Sequence, residues 1–164
     1  MTSLESRRQG VVPSSRVDAG VIDRRLAEAV EFGEWAGFAL LLVDVSRPFA
    51  RAFSDDDVTS ICDALGRVVR QGDLVAHLNQ TTFVVLLGGL VDRDDARVVS
   101  ERVYDTLALS LDDFVISVGL GHLADGPDGA THAWLMARRE LENFRSSGSW
   151  STAPLETMRV RAAR

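Results

Sequence analysis

The sequence predicts a mixed α/β domain of the α+β type, with a ferredoxin-like core and one added helix at each end of that core. The first observation is a continuous apolar run at residues 38–45, typical of a strand buried on both faces. The second is a pair of apolar runs, residues 74–78 and 83–87, separated by four polar residues as in a β-hairpin. The third is helical spacing between and around these strands, which gives the order β-α-β-β-α-β of split βαβ folds.

The elements of the first half follow from apolar spacing and from residues that favour helix ends. A first helix is predicted around Asp23, where apolar residues recur every three or four positions. Pro48 stops the strand that follows it. The second helix begins at Ser54, a predicted N-cap, and three aspartates then favour the positive end of the helix dipole. Arg70 is expected at the negative end of this helix, and Gly72 suits the cap after it.

The elements of the second half follow from the same apolar spacing and helix-end residues. Asp92 is predicted to begin a third helix with one apolar face, and residues 114–120 form a strand that Gly121 closes. A polar stretch rich in Gly and Pro then leads to a last helix at residues 131–146. The predicted apolar anchors of that helix are Trp134, Leu135, Leu141 and Phe144. Residues 158–160 are predicted to add an edge strand.

Composition excludes several classes of protein. The 164 residues carry a formal net charge of −6, and no long basic block is present, which argues against binding to a nucleic-acid backbone. All 18 basic residues are arginine, so a lysine Schiff base and a P-loop lysine are excluded. A single cysteine, Cys62, excludes a disulfide scaffold and a thiolate metal cluster.

The chain is expected to form one domain with two tails. Residues 1–15 are polar and predict a flexible N-terminal tail, residues 16–150 the domain, and residues 151–164 a C-terminal tail or edge strand. No apolar stretch is long enough for a signal peptide or a bilayer span. The sequence therefore predicts a cytoplasmic protein without membrane insertion.

The segment around the predicted hairpin resembles a known family. Residues 70–87 read RQGDLVAHLNQTTFVVLL and resemble the centre of a GGDEF domain, the diguanylate cyclase fold, where the usual text is R-x-G-D-x-V-A-R-x-G-G-D-E-F-x-V-L-L. Shorter pieces at residues 18–25, 40–45 and 115–120 resemble the family in the same order, and the last helix carries Arg145 where the family has a lysine. The resemblance covers residues 17–150 and implies the palm core of nucleotidyl cyclases in a bacterial signalling protein.

The motif that names the family is replaced here by Asn-Gln-Thr-Thr-Phe. In active members the two glycines let the hairpin approach GTP, and the acidic residues hold a divalent metal. The side chains of Asn79 and Gln80 obstruct that approach, and Thr81 and Thr82 carry no charge. Because phosphoryl transfer depends on metal and positioning, the resemblance implies an inactive cyclase without a metal site or other cofactor.

Two carboxylates outside the hairpin also match positions of the family's active centre. Asp44 is the only metal ligand that survives, and the guanine-reading N-D-x-x-G-H stretch has no counterpart before Ser54, although Asp55 matches a later guanine-reading Asp. The expected remnants of the active site are Asp44, Asp55, Asn79, Gln80, Thr81, Thr82 and Arg145.

Arg70 and Asp73 fall where many family members carry an inhibitory product site that binds cyclic di-GMP. Arginine suits the O6 and N7 atoms of guanine and stacks on its ring, and an aspartate accepts from guanine N1–H and its amino group. Arg102 resembles a third arginine that joins this site in some members. The alternative is purely structural: Arg70 compensates a helix end, and Asp73 is a turn residue.

Three functions from different classes remain open at this point. The first is a receptor that binds cyclic di-GMP through Arg70, Asp73 and Arg102 and passes the signal to a protein partner. The second is a protein-interaction or homodimerisation module that does not use nucleotide. The third is an enzyme with residual nucleotide chemistry at Asp44.

Overall fold

The computed structural model describes residues 16–47, 53–111 and 113–147. Its elements, in chain order, are α1 (Ala19–Glu31), a short 3₁₀ helix (Trp35–Gly37), β1 (Ala39–Ser46), α2 (Asp55–Val68), β2 (Leu74–His77), β3 (Thr82–Leu87), α3 (Arg93–Ser110), β4 (Val115–His122) and α4 (Gly129–Ser147). The predicted tails at residues 1–15 and 151–164, and the edge strand at 158–160, lie outside the described residues.

The four strands form one antiparallel sheet in the order β2-β3-β1-β4. This is the order expected when two split βαβ units interleave, so the predicted ferredoxin-like core is confirmed. In the register, Asp44 near the end of β1 lies opposite Thr82 on one side and Ser117 on the other. The end of β1, the β2–β3 turn and the start of β4 therefore meet at one end of the sheet, which we call the hairpin end.

Two of the predicted helix starts are confirmed in detail. The Ser54 hydroxyl accepts from the Asp57 N–H, and the Asp57 carboxylate accepts from the Ser54 N–H, which completes a capping box at α2. Asp92 caps α3 in the same way with Asp95. Such reciprocal bonds satisfy main-chain donors that the first helical turn leaves open.

The sheet is covered by helices on both faces, which explains the apolar run at residues 39–43 of β1. Leu41 and Val43 belong to a core cluster shared with α2 and α3. Leu40 and Leu42 alternate with them and belong to a second cluster shared with α1 and α4. Because successive strand residues point to opposite faces, both sets must be apolar, as the sequence predicted.

The sequence prediction is wrong at Gly121, which does not end β4. The strand continues to His122, and a Cβ atom on Gly121 would lie 1.9 Å from the Ala133 carbonyl oxygen. A Cβ on Gly119 would meet the Ala137 carbonyl oxygen at 2.0 Å. Both glycines therefore serve a close approach of the α4 backbone to the strand, a use of glycine inside strands that the turn interpretation overlooked.

Two further expectations differ from the structure. Leu135 is 60% exposed and is not an anchor of α4, since the small residues Ala133 and Ala137 occupy the helix face that touches β4. Helix α2 ends at Val68, so Arg70 lies beyond the helix in the turn that leads to β2. Within the described ranges, no helix is both long and apolar enough to cross a bilayer.

Candidate functional site

Asp44 is the centre of the polar cluster at the hairpin end of the sheet. Its side chain is 9% exposed, and its Oδ1 atom lies 2.9 Å from Nη2 of Arg145, near the end of α4. The same oxygen accepts from the hydroxyl of Thr81 at 2.9 Å and of Thr82 at 3.3 Å. The fold thus brings together four of the residues that the sequence placed in the remnant active site.

The hairpin reaches Asp44 because its turn is ordered by Asn79. The Asn79 Oδ1 atom accepts from the main-chain N–H groups of Thr81 and Thr82 at 3.2 and 3.1 Å. The Thr81 carbonyl accepts in turn from the Val45 N–H at 2.8 Å, which ties the turn to the end of β1. Asn79 therefore closes the turn with a side chain where the family has glycine, while Gln80 is exposed at its tip.

The Asp44 carboxylate is engaged in an intramolecular ion pair. Mg²⁺ takes six oxygen ligands in octahedral geometry, of which a protein commonly supplies one or two carboxylates while water and substrate phosphates supply the rest. Within the described residues, no group of three or more His, Cys, Asp or Glu side chains is placed to hold a metal. The Asp44 carboxylate is instead compensated by one guanidinium and two hydroxyl donors.

A second polar contact at this end was not foreseen from the sequence. Arg47, just after β1, donates to the Asp57 carboxylate at 2.7 Å, and its guanidinium lies 4.7 Å from the centre of the Phe114 ring. The Ser54 main-chain N–H, then the Ser54 hydroxyl and Arg47, lower the pKa of Asp57 against the opposing effect of burial. Asp55, the predicted guanine-reading remnant, is exposed at the first position of α2.

The sequence contains part of the signal for the contact between Arg47 and Asp57. Asp57 stands at the third helical position, where a carboxylate closes a capping box, whereas the sequence interpretation assigned it only to the helix dipole. The ring of Phe53 also packs against that of Phe114, with centroids 5.5 Å apart. These contacts join the start of α2 to the end of β1 and to the segment just before β4.

Arg70 and Asp73 form a tight turn at the opposite end of the sheet, before β2. The Asp73 carboxylate accepts from the main-chain N–H of Arg70 at 2.9 Å and of Gly88 at 3.1 Å, and the Asp73 N–H donates to the Arg70 carbonyl at 3.1 Å. Gly72 supplies the positive φ of 109° that the turn requires. Asp73 is only 4% exposed, whereas Arg70 is exposed.

The turn therefore uses Asp73 to hold main chain and presents the Arg70 side chain outward. Arg102 lies on the exposed side of α3, a helix that packs beside α2. The sequence located this turn correctly relative to the hairpin. It could not show that both carboxylate oxygens of Asp73 accept from main-chain donors.

Comparison with solved structures gives the same fold. The GGDEF domain of YfiN from Pseudomonas aeruginosa is 19% identical over 83% of this chain and 93% of its own, with a TM-score of 0.68. Diguanylate cyclase SiaD of the same organism, solved in complex with its activator SiaC, is 20% identical over 90% of this chain and 67% of its own, with a TM-score of 0.67.

A third similar structure contains the coiled coil and GGDEF domain of DgcB from Caulobacter crescentus in complex with c-di-GMP. It is 16% identical over 88% of this chain and 86% of its own, with a TM-score of 0.64. No protein-family model matches the sequence, and no curated protein matches it. The chain thus has the fold of the GGDEF domains of diguanylate cyclases, and the expected palm core is confirmed.

Proposed function

We propose that this protein is a catalytically inactive GGDEF-type domain that acts as a regulatory receptor for cyclic di-GMP. The observation that carries the proposal is the cluster at Asp44, in which Arg145 and two threonine hydroxyls compensate the one metal-binding carboxylate that the resemblance to the family retains. A metal at Asp44 would lie beside the guanidinium that already pairs with this largely buried carboxylate, and repulsion between the two cations weakens metal binding. Phosphoryl transfer that depends on such a metal is therefore suppressed.

Inactivity is tested by incubating the full chain with GTP and Mg²⁺ and measuring cyclic di-GMP by liquid chromatography. We expect no product above a protein-free control. Metal-dependent product that disappears in Asp44→Ala would contradict the proposal and would support residual chemistry at this carboxylate.

The proposed ligand site is the turn that carries Arg70. Its exposed guanidinium has the planar fork that pairs with guanine O6 and N7, and the buried Asp73 fixes the main chain from which Arg70 projects. Arg102 on α3 is the proposed second arginine. A direct contact between Asp73 and guanine remains a prediction, and its burial favours a positioning role for this residue.

Calorimetric titration with cyclic di-GMP tests the receptor function. We expect binding by the wild type, a loss of about tenfold or more in affinity for Arg70→Ala, and a smaller loss for Arg102→Ala. Arg67→Ala is the matched control, because Arg67 is an exposed arginine in the last turn of α2, outside the Arg70 turn. Absence of binding by the wild type, or equal losses in Arg67→Ala and Arg70→Ala, would refute the proposed site.

A second candidate function is a nucleotide-independent interaction or dimerisation module. The observation that favours it is the engagement of Asp73 with two main-chain donors, which gives the turn a complete structural role without ligand. SiaD, which has a similar fold, was solved with a protein activator. Analytical ultracentrifugation distinguishes the two functions: a dimer unchanged by cyclic di-GMP and by Arg70→Ala supports the interaction module over the receptor.

A further inference from the structure

A cavity of about 320 Å³ opens beside the first residues of β4, between the last turns of α3 and α4. Three aromatic side chains line it: Tyr104 from α3, Phe114 before β4, and Phe144 from α4. Besides the Tyr104 hydroxyl, the polar residues of the lining are Ser117 and Arg145. Cavities of this size that combine aromatic walls with a few polar groups are typical of small-molecule sites.

The aromatic wall is built into the packing of the domain. The rings of Tyr104 and Phe144 lie 5.3 Å apart and join α3 to α4, and Phe114 is fixed on its other side by Phe53 and by the guanidinium of Arg47. The wall is therefore preformed, and a flat apolar group entering it would not have to order these side chains first.

Arg145 gives the wall of the cavity a positive charge, which favours an anionic ligand. Among the described residues that line the cavity, Arg145 is the one ionised side chain, and it is 46% exposed. Its contact with Asp44 is made by Nη2, whereas a guanidinium carries five N–H donors in a planar fork that matches a carboxylate. An anion in the cavity can thus meet Arg145 while the ion pair with Asp44 persists.

We propose that this cavity is a binding site for a small aromatic carboxylate, with the ring between Tyr104, Phe114 and Phe144 and the carboxylate on Arg145. The site is separate from the proposed cyclic di-GMP site, because none of Arg70, Asp73 and Arg102 lines the cavity. The Arg70 turn also precedes the edge strand β2, whereas the cavity adjoins the opposite edge strand, β4. The two sites also lie at opposite ends of the sheet. Strand β2 begins at the end away from the β2–β3 turn, whereas β4 begins at the hairpin end.

The test uses 4-phenylbutyrate and its neutral analogue 4-phenylbutan-1-ol as probes, each titrated into the full chain by two-dimensional NMR. We expect the carboxylate to bind about tenfold more tightly than the alcohol and Arg145→Met to abolish this preference. Asp44→Asn removes a competing negative charge beside Arg145, so we expect several-fold tighter binding of the carboxylate. Equal affinity of both probes for the wild type, or no binding of either, would overturn the proposal.

A pair of neighbouring variants locates the site. Ala108 lines the cavity, and Leu109, the next residue of α3, is 82% exposed and does not. We expect Ala108→Trp to fill the cavity and abolish binding of 4-phenylbutyrate, and Leu109→Trp to leave its affinity unchanged. Unaltered affinity in Ala108→Trp would place the probe elsewhere and overturn the assignment.

Discussion

We expect the ion pair between Asp44 and Arg145 to make a measurable contribution to the stability of the domain. Exposed ion pairs contribute about 0.2–1 kcal/mol, whereas removing one partner of a buried pair costs about 3–5 kcal/mol. Here one side chain is 9% exposed and the other 46%, so solvent screens part of the attraction. We therefore expect Arg145→Met, which keeps much of the apolar stem, to lower the free energy of unfolding by about 2 kcal/mol.

A double-mutant cycle separates the ion pair from the packing of the two side chains. Urea unfolding is followed by circular dichroism for the wild type, Arg145→Met, Asp44→Asn and the double variant. We expect a coupling energy of about 1–2 kcal/mol that falls in about 1 M salt. A coupling energy below about 0.3 kcal/mol would refute the reasoning, because it is indistinguishable from additivity between independent sites. It would also remove the main observation behind the proposal that the domain is inactive.

Two further predictions concern β4. We expect Gly121→Ala to lower the free energy of unfolding by about 3 kcal/mol, since its Cβ would lie 1.9 Å from the Ala133 carbonyl oxygen. The control is Gly37→Ala, whose Cβ would lie no closer than 3.6 Å to the Leu90 carbonyl oxygen. We expect little change in its free energy of unfolding in urea. Burial lowers the pKa of His122 below its usual 6.5, so the unfolded chain takes up a proton first as the pH falls and the wild type loses stability below about pH 6.5. Thermal unfolding at about pH 7.5 and about pH 5.5 should show a smaller loss for His122→Asn, and equal losses in both proteins would contradict this assignment.

Local patterns were sufficient for most of the fold because each element carries its own signal. The caps at Ser54 and Asp92 are short-range hydrogen bonds between a side chain and the next turn, so sequence spacing predicts them. The apolar run of β1 likewise predicts burial on two faces whatever covers them. The prediction failed at Gly121, where the reason for glycine is the backbone of α4, about a dozen residues further along the chain.

In the candidate site, too, some contacts follow from the sequence and others depend on long-range packing. The resemblance assigned Asp44, the threonines of the hairpin and Arg145 to one region, and the fold brings them into contact. The direct pairing of Asp44 with Arg145 depends on the position of the last turn of α4, which no local pattern fixes. The buried role of Asp73 was also inaccessible, because one of its two partners is the Gly88 N–H beyond the hairpin.

The ion pair also explains how a largely buried carboxylate is tolerated beside a hairpin turn that carries no acidic side chain. Such a carboxylate without a compensating charge is costly. Arg145 supplies the charge, and Thr81 and Thr82 supply two more donors to the same oxygen. Acidic residues at positions 81 and 82 would replace donors by acceptors beside Asp44 and leave one guanidinium to compensate three carboxylates. The hairpin sequence and Arg145 are therefore coupled physically through Asp44.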